Sequence, residues 1–291
     1  MNSSVLSALH PGAGPARPAS MGALLVEAGK LSLEDAERVE RTREGLGIRF
    51  GEAALRLGQV SEDDIQQALA RQFAYPTLRP GQGKLSPRLV AAYEPFSPQA
   101  EALRAIRSQL MLRWFARGRR ALAIAGATFD DGASLCAANL ALVFAQLGEQ
   151  TLLVDANLRE PRQHGLFGLT PRQGLSDLLA GRADQDAILR VPDFADLSVL
   201  PAGTLPPNPQ ELLARPGFRT LAAQLDSRHD VVLYDLPPFT AGADALAVAG
   251  RAGGVLLVVC KHRTRIADMA RMAAQMRNAG AEVVGSVVME F

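Results

Sequence analysis

Six short apolar runs punctuate the chain after residue 120: ALAIAGA (121–127), TLLVDA (151–156), LSVLPAG (197–203), VVLYDLP (231–237), GGVLLVVC (253–260) and EVVGSVVM (282–289). They are continuous, so each reads as a strand buried on both faces. Helical patterns separate most of them. That rhythm predicts an α/β domain with a doubly wound, mainly parallel sheet between layers of helices. Ligands of such sheets bind beyond the carboxyl ends of the strands. Asp155 and Asp235 stand at two of those ends.

The first run leads into IAGATFDDGASLCAANLALVF (124–144), a strand, a glycine loop and a helix. This is the shape of a phosphate-binding loop, G-x-x-x-x-G-K-[ST]. Gly132 and Ser134 are in place, but Ala133 stands where the lysine belongs. Asp130 and Asp131 fall in the turn that would cradle phosphate. Gly132, Ala133 and Ser134 are therefore the candidate nucleotide-binding positions. The Ser134 hydroxyl with Asp155 and Asp235 would hold Mg²⁺ or order its waters. A single strand-end aspartate reads equally well as a loop cap. Three elements in this order favour a P-loop NTPase-like fold.

A net charge of +1 over 291 residues gives no electrostatic reason to expect a nucleic-acid polymer. Cys136 and Cys260 both lie in apolar segments and are expected to be buried, reduced thiols of a cytosolic protein. No secretory signal is visible, and the apolar runs are too short to span a bilayer, so any membrane role is expected to go through a partner. His164 and His262 have no ligand set beside them in the sequence.

The first residues, 1–18, are rich in Pro, Gly, Ser and Ala and are expected to be a disordered tail. A repeat follows. Ser20-Met-Gly22-Ala-Leu-Leu-Val-Glu-Ala-Gly29 matches Arg49-Phe-Gly51-Glu-Ala-Ala-Leu-Arg-Leu-Gly58 at a constant offset of 29 residues. Each copy reads as a short helix ended by Gly, a Ser N-cap (Ser32, Ser61) and a second helix with acids in its first turn. Residues 19–74 are thus expected to form a small all-helical domain made by duplication. Residues 75–97, rich in Pro and Gly, read as a linker, and the α/β domain is expected over 98–291.

Several stretches of the α/β half resemble the bacterial tyrosine kinases of exopolysaccharide assembly, within the wider ParA/MinD-like P-loop group. They are EALRAIRSQL (101–110), AANLA (137–141), LLVDANLREP (152–161), HGLFGL (164–169), GLSDLLAG (174–181), PPNPQELL (206–213) and VVLYDLPP (231–238). The resemblance implies ATP and Mg²⁺ as ligands, Asp155 and Asp235 as catalytic positions, and a membrane chain-length-determinant co-polymerase as partner. It also implies a cytoplasmic place, peripheral at the inner membrane. The pattern Glu101, Arg104, Arg107 implies self-association into a ring; read by itself it is a solvated helix stripe.

The departures weigh as much. The family's phosphate loop reads like P-G-E-G-K-S, and this one reads F-D-D-G-A-S. Asn157 replaces the second acid of its D-x-D pattern. Met289 falls where the family has an asparagine near adenine, and the sequence then ends at Phe291 with no tyrosine-rich tail. The expectation is a degenerate kinase that influences exopolysaccharide chain length, with weak or no ATP turnover. The alternatives are an active tyrosine kinase, a ParA/MinD-like positioning ATPase, or a cyclic di-GMP receptor. The last comes from a likeness of the repeat to the N-terminal domain of type II secretion and pilus ATPases. Its motif residues in the second copy are Arg49, Phe50, Gly51, Leu55, Gly58 and Gln72, whereas the first copy has Ser20 and Arg43 in place of the arginine and the glutamine. A helical docking domain, with glycines that simply end helices, is the plainer reading.

Overall fold

A computed structural model describes residues 20–73, 75–79, 81–129 and 131–290. The tail expected over 1–18, the loop residue Asp130 and the terminal Phe291 lie outside the described residues. The chain divides into two compact units, Met1–Tyr75 and Pro76–Phe291.

In the first unit the repeat becomes four helices: α1 (Met21–Glu27), α2 (Leu33–Leu46), α3 (Phe50–Arg56) and α4 (Glu62–Gln72). The serines cap as their positions predict. Ser32 Oγ accepts from the Asp35 amide at 3.0 Å, and Ser61 Oγ from the Asp64 amide at 3.2 Å. The Asp64 carboxylate in turn accepts from the Ser61 amide at 3.1 Å, which completes a reciprocal cap at α4. The two copies interlock: α1 packs on α4 and α2 on α3. A methyl group on Gly22 would lie 3.0 Å from the Phe50 ring, and one on Gly51 would lie 3.3 Å from Met21 Sδ and from Ile65. Each copy therefore inserts a side chain over the other's glycine. Leu25, Val39, Ala53 and Ala54 fill the core between them.

The second unit carries a seven-stranded sheet: β1 (Ala121–Gly126), β2 (Thr151–Asp155), β3 (Leu189–Arg190), β4 (Leu197–Leu200), β5 (Val231–Asp235), β6 (Gly254–Cys260) and β7 (Glu282–Met289). The strand order is β3-β4-β2-β5-β1-β6-β7, parallel throughout except for the β3–β4 pair. All six apolar runs are strands. The helices are α5 (Val90–Tyr93), α6 (Pro98–Arg113), α7 (Ala133–Ala145), α8 (Gln163–Leu166), α9 (Leu175–Leu179), α10 (Pro209–Ala214), α11 (Pro216–Arg228), α12 (Asp244–Ala252) and α13 (Ile266–Asn278).

Alternate strand residues feed two separate cores, as period-2 geometry requires. Leu122, Ile124, Leu153, Leu233 and Val258 pack beneath α5, α6 and α7. Ala123, Leu152, Val154, Val232, Tyr234 and Leu257 pack beneath α10 to α13. The α7 helix is apolar on nearly every side, which suits its burial under α5 and α6. Trp114 is fully buried and donates from Nε1 to the Ala121 carbonyl at 2.8 Å. Its ring leaves no room for a side chain at Gly254, where a methyl group would lie 2.4 Å away.

The stretch expected as a linker is built into this unit. Leu78, Leu85, Leu89, Ala91 and Ala92 are buried in its core. Asn139 Oδ1 accepts from the Ala91 amide at 3.0 Å, and Gln146 Nε2 donates to the Pro76 and Ala91 carbonyls. The Pro and Gly content marks an irregular path, and the leucines between them anchor it. At α10, Pro209 occupies the first helical turn, where its missing amide costs nothing, and among the described residues the Asn208 side chain makes no capping bond. No helix among the described residues is long and apolar enough to cross a membrane.

Candidate functional site

The site forms where β1, β2 and β5 end. Asp155 and Asp235 are register partners on neighbouring parallel strands, so the sheet itself sets them side by side. Both are fully buried. Asp155 Oδ2 accepts from the Arg162 and Gln163 amides at 3.0 and 2.9 Å. Asp235 Oδ2 accepts from Gln163 Nε2 at 2.7 Å, and the same Nε2 donates to the Ser134 carbonyl at 3.0 Å. Gln163 thus ties both carboxylates to the start of α7. Sequence reasoning passed over it. The signal that was available is its place eight residues after Asp155, directly before the recognised HGLFGL stretch.

One oxygen of each group is left over. Among the described residues, Asp155 Oδ1, Asp235 Oδ1 and Gln163 Oε1 are buried and find no hydrogen-bond partner. Three unsatisfied oxygens around one network are costly unless something positive or a water meets them. Burial drives the Asp155 pKa well up, and the charge of Asp235 adds to the rise. Burial also lifts Asp235 to about 6, although Gln163, Ser134 and the guanidinium of Arg162 oppose the rise. The pair therefore holds a proton above the ordinary carboxylate range. The donor set fits a small hard cation such as Mg²⁺, which takes one or two carboxylates and keeps most of its waters. Among the described residues no group of three or more His, Cys, Asp or Glu side chains forms a separate metal cluster.

The phosphate loop has the expected backbone. Gly132 sits at φ 79°, a left-handed conformation that glycine adopts without strain, and α7 starts at Ala133. Gly126 permits the tight turn, since a methyl group there would lie 3.1 Å from the Asp131 Cβ. Asp131 corrects the expectation that it faces phosphate. Its side chain is fully buried; it accepts from the Thr128 amide at 2.8 Å and from the Thr264 hydroxyl at 2.8 Å. A buried carboxylate is tolerable when its oxygens are bonded in this way. Asp131 holds the loop against the turn after β6.

Ala133 and Ser134 both reach the cleft, which is also lined by Gly126, Thr128, Phe129, Asn157, Arg162, Leu236 and Pro238. Asn157 is committed to its own turn: Oδ1 accepts from the Glu160 amide and Nδ2 donates to the Glu160 carbonyl. Arg159 is also engaged, through two bonds of 2.6 and 3.2 Å to the buried Asp244 of α12. Among the described residues lining the cleft there is no lysine, and Ala133 stands at the first position of α7.

Other sequence-identified residues lie away from this cleft. Glu101 pairs with Arg104 at 2.6 Å, and Arg104 also donates to the Pro95 carbonyl. Arg107 donates to the Val143 carbonyl at 2.7 Å, near the C-terminal end of α7, where a cation is favoured. In the first unit Arg49 is exposed at the start of α3, Phe50 covers Gly22, and Gly51 is buried against Ile65. Leu55 is exposed, Gly58 turns the chain at φ 64°, and Gln72 ends α4 half-buried. Cys136 and Cys260 are free and buried, and burial pushes the Cys136 thiol up to about 12.

The chain matches no protein-family model. It is 32% identical over 212 residues to the tyrosine-protein kinase YwqD of Bacillus subtilis (strain 168), which spans 72% of this chain and 90% of YwqD. The chain belongs to the bacterial tyrosine-protein kinase family. The solved kinase domain of the Escherichia coli tyrosine kinase Etk superposes with a TM-score of 0.69 at 31% identity, covering 72% of this chain and 82% of that domain. Against full-length Etk of strain K12 the identity is 33% over 200 residues, and the chain spans only 27% of that longer protein. The fold extends to the septum site-determining protein MinD of Pyrococcus horikoshii, solved with Mg-ADP, at a TM-score of 0.52 and 22% identity over 58% of this chain.

Proposed function

We propose that the second unit is a degenerate tyrosine-kinase domain that binds Mg²⁺ and nucleotide weakly, turns ATP over little or not at all, and regulates exopolysaccharide assembly. The observation that carries this reading is Ala133 at the first position of α7, lining a cleft with Ser134 while Asp155 and Asp235 stand in register beneath it. Phosphoryl transfer depends on positioning and charge stabilisation, so a site without its phosphate cation loses orders of magnitude in rate. Family membership supports a partner in polysaccharide export, namely a membrane chain-length-determinant co-polymerase that brings the chain to the membrane. The Glu101, Arg104 and Arg107 face of α6 is the proposed self-association surface. Full-length protein incubated with labelled ATP and Mg²⁺ should yield no phosphotyrosine above background. Robust autophosphorylation would show a working kinase instead.

For the first unit the favoured reading is docking. Gly22 and Gly51 are used in helix packing and Gly58 in a helix end, which accounts for them without a ligand. Calorimetry with cyclic di-GMP on the full chain should register no binding at high micromolar ligand. A saturable heat lost in Arg49→Ala would restore dinucleotide binding as its role.

A further inference from the structure

We propose that Arg162 supplies the phosphate-facing cation that position 133 lacks, so that the chain retains a nucleoside di- or triphosphate through an arginine held on the β2 side of the cleft. The inference rests on the nucleotide reading above and names the group that keeps binding alive.

Among the described residues lining the cleft, Arg162 is the one that carries positive charge. The nearby Arg159 is excluded, because its guanidinium is locked to the buried carboxylate of Asp244. Arg162 is also held at the root. Its amide donates to Asp155 Oδ2 at 3.0 Å, which fixes its backbone beside the metal-binding carboxylates. A phosphate in the cleft beside Ala133 and Ser134 would face the Arg162 side chain, which lines the same cleft.

The tip of Arg162 is engaged only lightly. It pairs at 2.5 Å with Glu160, and the two side chains are 41% and 50% exposed. Exposed pairs of this kind contribute little to stability and break readily. A guanidinium meeting a phosphate forms parallel charge-assisted bonds, which are stronger and match its planar fork. Exchange of Glu160 for phosphate is therefore favoured. The approach differs from that of a P-loop lysine, which extends from the start of the helix to the β- and γ-phosphates. Arg162 comes from the loop after β2. That geometry serves retention of the polyphosphate better than stabilisation of the transferring group.

The test is calorimetry of Mg·ATP, Mg·ADP and adenosine on full-length wild type, Arg162→Ala, Arg162→Lys and Arg162→Ala/Ala133→Lys. Arg162→Ala should weaken ATP and ADP about tenfold and leave adenosine unchanged. Arg162→Lys should lose less, and lysine at position 133 should restore binding in the Arg162→Ala background. Mg²⁺ alone should raise the melting temperature of Arg162→Ala as it does that of wild type, which reports an intact fold and metal end. Undiminished ATP binding in Arg162→Ala overturns the inference and leaves the nucleotide reading standing. Wild-type protein that binds no Mg·ATP at millimolar concentration overturns both.

Discussion

Ala133→Lys should raise phosphoryl transfer by about a hundredfold over the wild-type chain. The position is the first residue of α7 and borders the cleft beside Ser134. A lysine there would bring its ammonium to roughly 5 Å from a phosphate charge, worth ~3 kcal/mol at an effective dielectric near 20. That energy corresponds to about two powers of ten. The rest of the machinery is standing: the glycine turn is formed, Asp131 is tied back by Thr128 and Thr264, and the two strand-end carboxylates are in register. Labelled-ATP turnover with an exogenous tyrosine substrate, beside calorimetry, measures the change. A variant that binds Mg·ATP no better than wild type would overturn the electrostatic argument for the low turnover proposed above. A variant that binds better without turning over would place the defect at another departure, such as Asn157.

Asp235→Asn should stabilise the metal-free protein by about 3 kcal/mol at pH 8 and abolish its stabilisation by Mg²⁺. The sign follows from the direction of the shift. Asp235 has its folded pKa raised from 3.8 to about 6, so the native state binds more protons than the unfolded chain between those values. Stability associated with this group is present below about pH 4 and falls as pH rises to about 6; a shift of that size costs about 3 kcal/mol when fully expressed. Asparagine removes the charge, keeps an acceptor for Gln163, and relieves the repulsion felt by Asp155. The gain should therefore shrink towards zero near pH 4. Urea unfolding at pH 8 and pH 4, with EDTA and with Mg²⁺, tests each part. Destabilisation of Asp235→Asn at pH 8 in EDTA would show that the carboxylate pair is not a source of stored strain.

The strands were legible because a parallel sheet covered on both faces writes itself as uninterrupted apolar runs. β3 was not, since two residues paired antiparallel to β4 leave no pattern to read. The caps at Ser32 and Ser61 were legible because they are local. The site was half legible. Gly132, Ser134, Asp155 and Asp235 follow from motif spacing. The inward turn of Asp131 depends on Thr264, which lies 133 residues further along the chain, and no local rule could supply it. Gln163 and Arg162 were missed for a related reason: their roles come from backbone amides and side-chain reach, while their identities look ordinary. The burial of Leu78, Leu85 and Leu89 within the 75–97 stretch was not legible, because Pro and Gly describe how a chain bends and say little about where its leucines go.

The register pairing of Asp155 with Asp235 has a consequence for how such a domain changes over generations. Neighbouring strands are spaced about 4.8 Å apart by their hydrogen bonds, so the separation of the two acids is a property of the ladder and owes nothing to the loops above it. Mutations in the loop can silence the chemistry without disturbing that spacing. A lineage that lost its activity through position 133 would still carry a correctly gauged pair of acids, and one codon change could bring the reaction back.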